Sequence, residues 1–123
     1  MREYLYVLGF FVILTVLPAC SSSDKPDKSE LMDHWIVVGA TRDGRATETL
    51  NGAYFDFSED VLETNFMGED MTNHYELKND NILVGEEKRI YQIRYIDADS
   101  LHLFVEIKGY PFHFFLHKES NTQ

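Results

Sequence analysis

The chain has 123 residues, of which 44% are hydrophobic and 26% are charged, so it can bury one core of single-domain size. Its formal net charge of −10 argues against a nucleic-acid binder, because neutralising phosphates requires a basic surface. The single cysteine excludes an intramolecular disulfide and a thiolate metal cluster.

An apolar segment lies near the start of the chain. Residues 4–17 are apolar or aromatic apart from Gly9 and Thr15. As a helix this segment would span about 21 Å, whereas a hydrocarbon core of about 30 Å needs roughly twenty residues. We therefore predict the apolar region of a signal peptide rather than a transmembrane anchor.

The next residues, Leu17-Pro18-Ala19-Cys20, resemble the lipobox of bacterial lipoproteins. The resemblance implies a signal peptide over residues 1–19, cleavage before Cys20, and acylation of Cys20 with palmitate-like chains that anchor the protein to a membrane. A polar tether over residues 20–30, which includes the lipidated cysteine, would follow. We expect a location in the bacterial cell envelope, at the outer membrane, facing either the periplasm or the exterior. The alternative is an ordinary signal peptide in which Cys20 is incidental.

The remaining sequence predicts an all-β domain over residues 31–118, with a tail at 119–123. A short helical turn near 29–34, capped by Asp27, comes first. From Trp35 onward, apolar and polar residues alternate between recurrent turn-forming clusters. This pattern predicts eight strands, at 35–41, 53–58, 61–67, 71–78, 81–85, 89–96, 101–108 and 111–118. One apolar face persists through every hairpin, so we expect an antiparallel up-and-down meander closed as an eight-stranded barrel without exposed edges.

Trp35, at the start of the first strand and after a helical turn, resembles the opening of the lipocalins. The lipocalin Gly-x-Trp is Asp33-His34-Trp35 here, and the last strand has Lys118 where an arginine covers the tryptophan in that family. In layout, residues 31–118 are similar to the lipocalin-like domains of secreted Bacteroidetes lipoproteins. The resemblance implies a small barrel behind a lipobox, and it favours a non-enzymatic protein that binds a small apolar or amphipathic ligand.

The inward face of the predicted barrel offers a first candidate site. Eight strands enclose a space that side chains just fill, or that holds one small ligand. The abundance of inward aromatic residues favours a filled interior. A polar pair, Thr64 opposite Asn73, either is satisfied internally or orients a ligand at a mouth near Gly39 and Ala53. The candidate ligand-binding residues are Trp35, Thr64, Asn73, Tyr75, Tyr91 and Tyr95.

The outer face of the last predicted hairpin offers a second candidate site. The expected register places His102 opposite His117 and Phe104 opposite Phe115. These side chains are either simply solvated, or, with Arg94, form the contact patch of a protein-binding or inhibitor module. As a third alternative, His102 and His117 share a metal ion with a ligand from elsewhere.

Motifs of catalysis are not found in the sequence. It contains no Gly-x-Ser-x-Gly elbow, no His-Glu-x-x-His pair and no phosphate-binding glycine loop. We therefore predict no catalytic residues, no cofactor and no nucleic-acid partner.

Overall fold

The computed structural model describes residues 25–119, which form a single antiparallel sheet closed into a barrel. The elements, in chain order, are α1 (Lys28–Leu31), β1 (His34–Arg42), β2 (Arg45–Ala46), β3 (Tyr54–Phe57), β4 (Val61–Thr64), β5 (Met71–Lys78), β6 (Asn81–Val84), β7 (Arg89–Ile96), β8 (Ser100–Ile107) and β9 (Tyr110–Lys118). Sequential neighbours pair from β3 to β9, and β1 pairs with both β3 and β9, which closes the barrel.

The all-β up-and-down barrel predicted from the sequence is confirmed, with one addition. Strand β2 is a two-residue extra strand that pairs with the end of β1 through the turn at Asp43 and Gly44. The predicted signal peptide, Cys20 and the last four residues of the tail lie outside the described residues. Within residues 25–119, no helix is both long enough and apolar enough to cross a membrane.

Aromatic rings from several strands fill the centre of the barrel. The ring of Phe55 lies 5.4 Å from that of Phe66, 5.5 Å from that of Phe114 and 6.1 Å from that of Tyr91, measured between centroids. Stacked and edge-on contacts at these separations stabilise beyond simple area burial. The barrel interior is therefore a packed core, built from Trp35, Val37, Phe55, Phe57, Leu62, Phe66, Tyr75, Ile82, Val84, Tyr91, Ile93, Leu101, Leu103, Val105, Ile107, Phe114 and Leu116.

One end of the barrel is closed by α1. A one-turn helix is unstable by itself, so its position depends on tertiary contacts. Leu31 is fully buried, and its carbonyl oxygen accepts a hydrogen bond of 2.9 Å from the indole Nε1 of Trp35. On the other side of the indole, Lys118 Nζ lies 5.5 Å from the ring centroid and 3.4 Å from a carboxylate oxygen of Asp33. Lys118 thus covers the tryptophan as a cation–π partner.

Two β-bulges reverse the expected alternation and correct two inward assignments. A bulge between Val37 and Gly39 in β1 makes Ala40, rather than Gly39, the next buried residue. A second bulge between Ile93 and Tyr95 in β7 leaves Tyr95 53% exposed. A bulge adds one residue to a strand, so every later side chain changes face. Tyr95 is therefore not an interior residue.

The register of three hairpins differs from expectation by two residues, and in one of them Tyr91 lies opposite Ile82 rather than Val84. Thr64 lies opposite Met71 rather than Asn73, because a longer connection joins β4 to β5. Between β8 and β9, Lys108 and Gly109 have positive φ angles of 55° and 86°, as a two-residue type I′ turn requires. That turn places His102 opposite Phe115, so the expected pairing with His117 is wrong. A slip of two keeps each side chain on its predicted face.

Candidate functional site

The end of the barrel opposite α1 holds a wide surface groove. Residues 25–30 border the same surface grooves as the β3–β4 and β5–β6 turns, so those turns lie at the closed end. Strand alternation puts the β4–β5 and β6–β7 turns at the other end. Between them lies a groove of about 810 Å³, lined by Met67, Met71, Thr72, Asn73, His74, Val84, Gly85, Glu86, Glu87, Lys88 and Arg89.

The short length of β6 creates this groove. Only the second half of β5, residues 75–78, pairs with β6, and one further backbone hydrogen bond of 2.9 Å runs from Gly85 N–H to the carbonyl oxygen of His74, so residues 71–73 have no ladder partner on that side. The chain turns away at Gly85, whose φ of +77° suits glycine. A Cβ at Gly85 would lie 3.4 Å from Asn73 Oδ1, so the half-buried Asn73 forms one wall. The opening is thus a built-in gap between neighbouring strands.

Arg89 and Tyr91 point toward the interior at this end. They alternate with Ile90, whose side chain is half exposed on the outer face of β7. Tyr91 is only 4% exposed, and burial raises the pKa of its phenol to about 12, against the opposing effect of the positive charge on Arg89. Within the described residues, the Tyr91 hydroxyl has no hydrogen-bond partner. A buried hydroxyl without a partner is costly, so this group keeps free hydrogen-bonding capacity behind Arg89, which lines the groove.

The other candidate interior residues have their polar groups occupied by the protein itself. Thr64 Oγ1 donates to the carbonyl oxygen of Tyr54 at 2.6 Å, and Tyr75 Oη donates to the carbonyl oxygen of Ser58 at 2.5 Å. The Tyr95 hydroxyl is bonded to a carboxylate on the outer surface. The Trp35 indole is bonded to α1. Of the six candidates, only Asn73 and Tyr91 have side-chain polar groups without a hydrogen-bond partner among residues 25–119.

Arg89 was not among the sequence-derived candidates. It lies two residues before Tyr91 on β7, so the alternation that predicts an inward Tyr91 predicts an inward Arg89 as well. Lys88, its neighbour, lies 3.8 Å from a carboxylate oxygen of Glu76. No carboxylate of residues 25–119 lies within ion-pair distance of Arg89, which leaves its charge available at the groove.

The outer face of β8 and β9 carries a continuous row of ring systems. The guanidinium of Arg94 lies 4.4 Å from the ring centroid of Phe104, which lies 5.0 Å from the ring of His113. His113 Nδ1 is 2.8 Å from His102 Nε2, and the ring of His102 is 4.4 Å from that of Phe115. We call these five residues the outer-face row. Phe104 and Phe115, expected to be opposite each other, are separated in it by the two imidazoles.

The candidate metal pair of His102 and His117 is not brought together. His117 lies opposite Ser100, while His102 contacts His113 instead. Across the described part of the chain, no group of three or more His, Cys, Asp or Glu side chains is arranged to hold a metal ion. The pairing of His102 with His113 escaped sequence reasoning because it depends on the turn at residues 108–109.

Comparison with known proteins bears on the fold. No family model matches the chain, and no curated protein matches it either. The crystal structure of a lipocalin-like protein from Bacteroides uniformis is similar, with a TM-score of 0.53 and 16% sequence identity, over 72% of this chain and 98% of that one. At this identity the similarity establishes the fold alone. The chain therefore contains a lipocalin-like β-barrel.

Proposed function

We propose that the barrel is a non-enzymatic binding domain for a small amphipathic ligand with an acidic head group, held at the open end. The observation that carries this proposal is the buried hydroxyl of Tyr91 beside the charge of Arg89, neither of which has a hydrogen-bonding or ion-pair partner among residues 25–119. Lipocalin-like barrels bind ligands at an open mouth, which agrees with the position of these two residues. The packed rings below leave the mouth, rather than the centre, as the place for a ligand.

The groove supplies both kinds of contact that an amphiphile needs. Arg89 and the Tyr91 hydroxyl are hydrogen-bond donors that suit a carboxylate, and bonds to a charged group are stronger than neutral ones. Met67, Met71 and Val84 present apolar surface along the same groove. Methionine side chains adapt to ligands of irregular shape. The ligand tail is therefore expected to lie across the two methionines, outside the aromatic core.

Binding of dodecanoate and of dodecanol tests this proposal. The mature chain from residue 20, carrying Cys20→Ser to prevent acylation, is titrated with each by calorimetry. Dodecanoate is expected to bind more tightly, because only its carboxylate receives charge-assisted hydrogen bonds. Arg89→Met and Tyr91→Phe should each weaken dodecanoate binding about tenfold or more, since a hydrogen bond to a charged group contributes about 1.5–3 kcal/mol.

Arg94→Met is the matched control, because Arg94 is an arginine of the same strand on the outer face. It should leave the affinity for dodecanoate unchanged. Equal affinity for acid and alcohol would contradict the role of Arg89, and absence of binding by either compound would contradict the ligand site altogether.

We further propose that acyl chains on Cys20 anchor the protein to the outer membrane of the bacterial envelope. The barrel then faces either the periplasm or the exterior. The lipobox resemblance supports this, since residues 17–20 match its pattern. Two or more acyl chains anchor a protein stably, whereas one gives only reversible binding. In a bacterial host, Cys20→Ala should move the protein from the membrane to the soluble fraction. Mass spectrometry of the membrane form should find an acylated N-terminal cysteine, and an unmodified one would contradict the anchor.

A second candidate function is a protein-binding or inhibitor module that acts through Arg94, Phe104 and Phe115. The observation that favours it is the exposure of Phe115, at 39%, next to an arginine stacked on Phe104. Aromatic residues and arginine are enriched where proteins bind each other. Affinity capture from envelope extracts should recover a partner with the wild-type chain and lose it with Phe104→Ser and Phe115→Ser. Equal recovery by all forms would contradict this function.

A further inference from the structure

We propose that His102 and His113 form a binding site for a late first-row divalent cation, Cu²⁺ or Ni²⁺, on the outer face of β8 and β9. The two side chains come from neighbouring strands, and a hydrogen bond of 2.8 Å joins His102 Nε2 and His113 Nδ1. Neutral imidazole is a strong ligand for these cations. The site is distinct from the open-end groove, so it does not depend on the amphiphile proposal.

The separation of the two nitrogens selects the geometry of the ion. Two nitrogens bound at about 2.0–2.1 Å and at right angles to each other lie about 2.9 Å apart, whereas tetrahedral ligands lie about 3.3 Å apart. In the ion-free protein the two nitrogens are joined by a hydrogen bond of 2.8 Å, so an ion bound in the right-angle arrangement would change their separation little. Square-planar or tetragonal coordination is typical of Cu²⁺ and Ni²⁺, so these ions should bind ahead of Zn²⁺. The ring that donates this hydrogen bond must move its proton to its other nitrogen, after which ring rotation directs both lone pairs at one ion and water fills the remaining positions.

Packing holds both rings in place before an ion arrives. The ring of His113 lies 5.0 Å from that of Phe104, and the ring of His102 lies 4.4 Å from that of Phe115. Ligands on rigid strands lose little freedom on binding, which favours chelation. Burial also lowers the pKa of both histidines, so both are neutral and able to coordinate at neutral pH.

Arg94 opposes the binding of a cation. Its charge acts on both imidazoles, and its guanidinium lies over Phe104, within the outer-face row. Removing this charge while keeping a polar side chain should therefore strengthen cation binding. Substitution of Arg94 should therefore raise the affinity for the cation, whereas substitution of either histidine should lower it.

Copper titration of the full-length chain in a non-ionic detergent tests the site. The chain carries Cys20→Ser, because a free thiol would also bind copper. Electron paramagnetic resonance should show one bound Cu²⁺ with two nitrogen ligands. His102→Gln and His113→Gln should each reduce the nitrogen count to one and weaken binding about tenfold or more, whereas His117→Gln, which changes a histidine of the same face, should have no effect. Arg94→Gln should tighten binding.

The pH dependence provides a second readout that loss of folding would not imitate. Because two imidazoles must be neutral, the affinity of the wild-type chain should fall about a hundredfold per pH unit once both are protonated, and that of each single variant about tenfold. A spectrum without nitrogen hyperfine structure from two imidazoles, or equal loss of binding with His117→Gln, would overturn the proposal.

Discussion

Replacement of Phe55 by alanine tests whether the centre of the barrel is filled. Phe55 is fully buried, and its ring contacts those of Phe66, Tyr91 and Phe114. Truncating such a residue removes its transfer free energy and leaves a cavity, which together cost about 3–5 kcal/mol. Since small domains unfold with about 5–15 kcal/mol, this variant should remain folded but be markedly less stable.

Urea unfolding followed by tryptophan fluorescence measures this change, because Trp35 is the single tryptophan. Phe55→Leu, which leaves a smaller void, should cost about 1–2 kcal/mol. Ile90→Ala, at a half-exposed position on the outer face, should cost less than about 1 kcal/mol. Benzene should partly restore the stability of Phe55→Ala, because a dry apolar cavity binds it. A cost for Phe55→Ala no larger than for Ile90→Ala would refute a packed centre.

Three further outcomes follow from single contacts. Tyr91→Phe should raise the free energy of unfolding by about 1 kcal/mol in urea titrations, because it removes a buried hydroxyl without a partner; a loss of stability would reveal an unseen partner. The lowered pKa values of His102 and His113 mean that the unfolded chain takes up protons near pH 6.5 before the barrel does. The free energy of unfolding should therefore fall as the pH drops below about 6.5. The variant that combines His102→Gln with His113→Gln should show a shallower fall, and identical pH profiles would show that the two histidines do not cause it. Lys118→Met should destabilise by up to about 1 kcal/mol through loss of the cation–π contact with Trp35 and of the ion pair with Asp33, and unchanged stability would contradict a contribution from these contacts.

The sequence predicts the strands and their faces well because both follow from local alternation. Period two alone predicts that Phe55, Tyr75 and Phe114 point inward, and all three are buried. Alternation fails at the bulges, where one inserted residue reverses the faces. That is why Tyr95 was predicted inside and lies outside.

Register was harder to predict than faces, since a slip of two residues preserves the apolar face. The pattern therefore could not distinguish Met71 from Asn73 as the partner of Thr64. Turn conformation determines the register of a hairpin. The turn formed by Lys108 and Gly109 lacks the Asn-Gly or Asp-Gly sequence that is typical of a type I′ hairpin. The contact between His102 and His113 depends on that turn, so it could not be predicted from the sequence.

The sequence does not show which polar side chains at the ligand site lack hydrogen-bond partners. Alternation predicts that Arg89 and Tyr91 share a face, but which polar groups the fold leaves without partners is known only once every hydrogen bond is placed. Thr64 and Tyr75 looked equally suitable, and both turn out to be satisfied by backbone carbonyls. Free hydrogen-bonding capacity, rather than residue type, distinguishes the candidate site.

The position of the ligand can be measured directly by methyl NMR with ¹³C-labelled methionine. Met67 and Met71 line the open-end groove, whereas Met32 follows α1 at the closed end. Titration of the mature Cys20→Ser chain with dodecanoate should shift the methyl signals of Met67 and Met71 and leave that of Met32 unchanged. Shifts confined to Met32, or no shift at a saturating concentration, would contradict binding at the open end of the barrel.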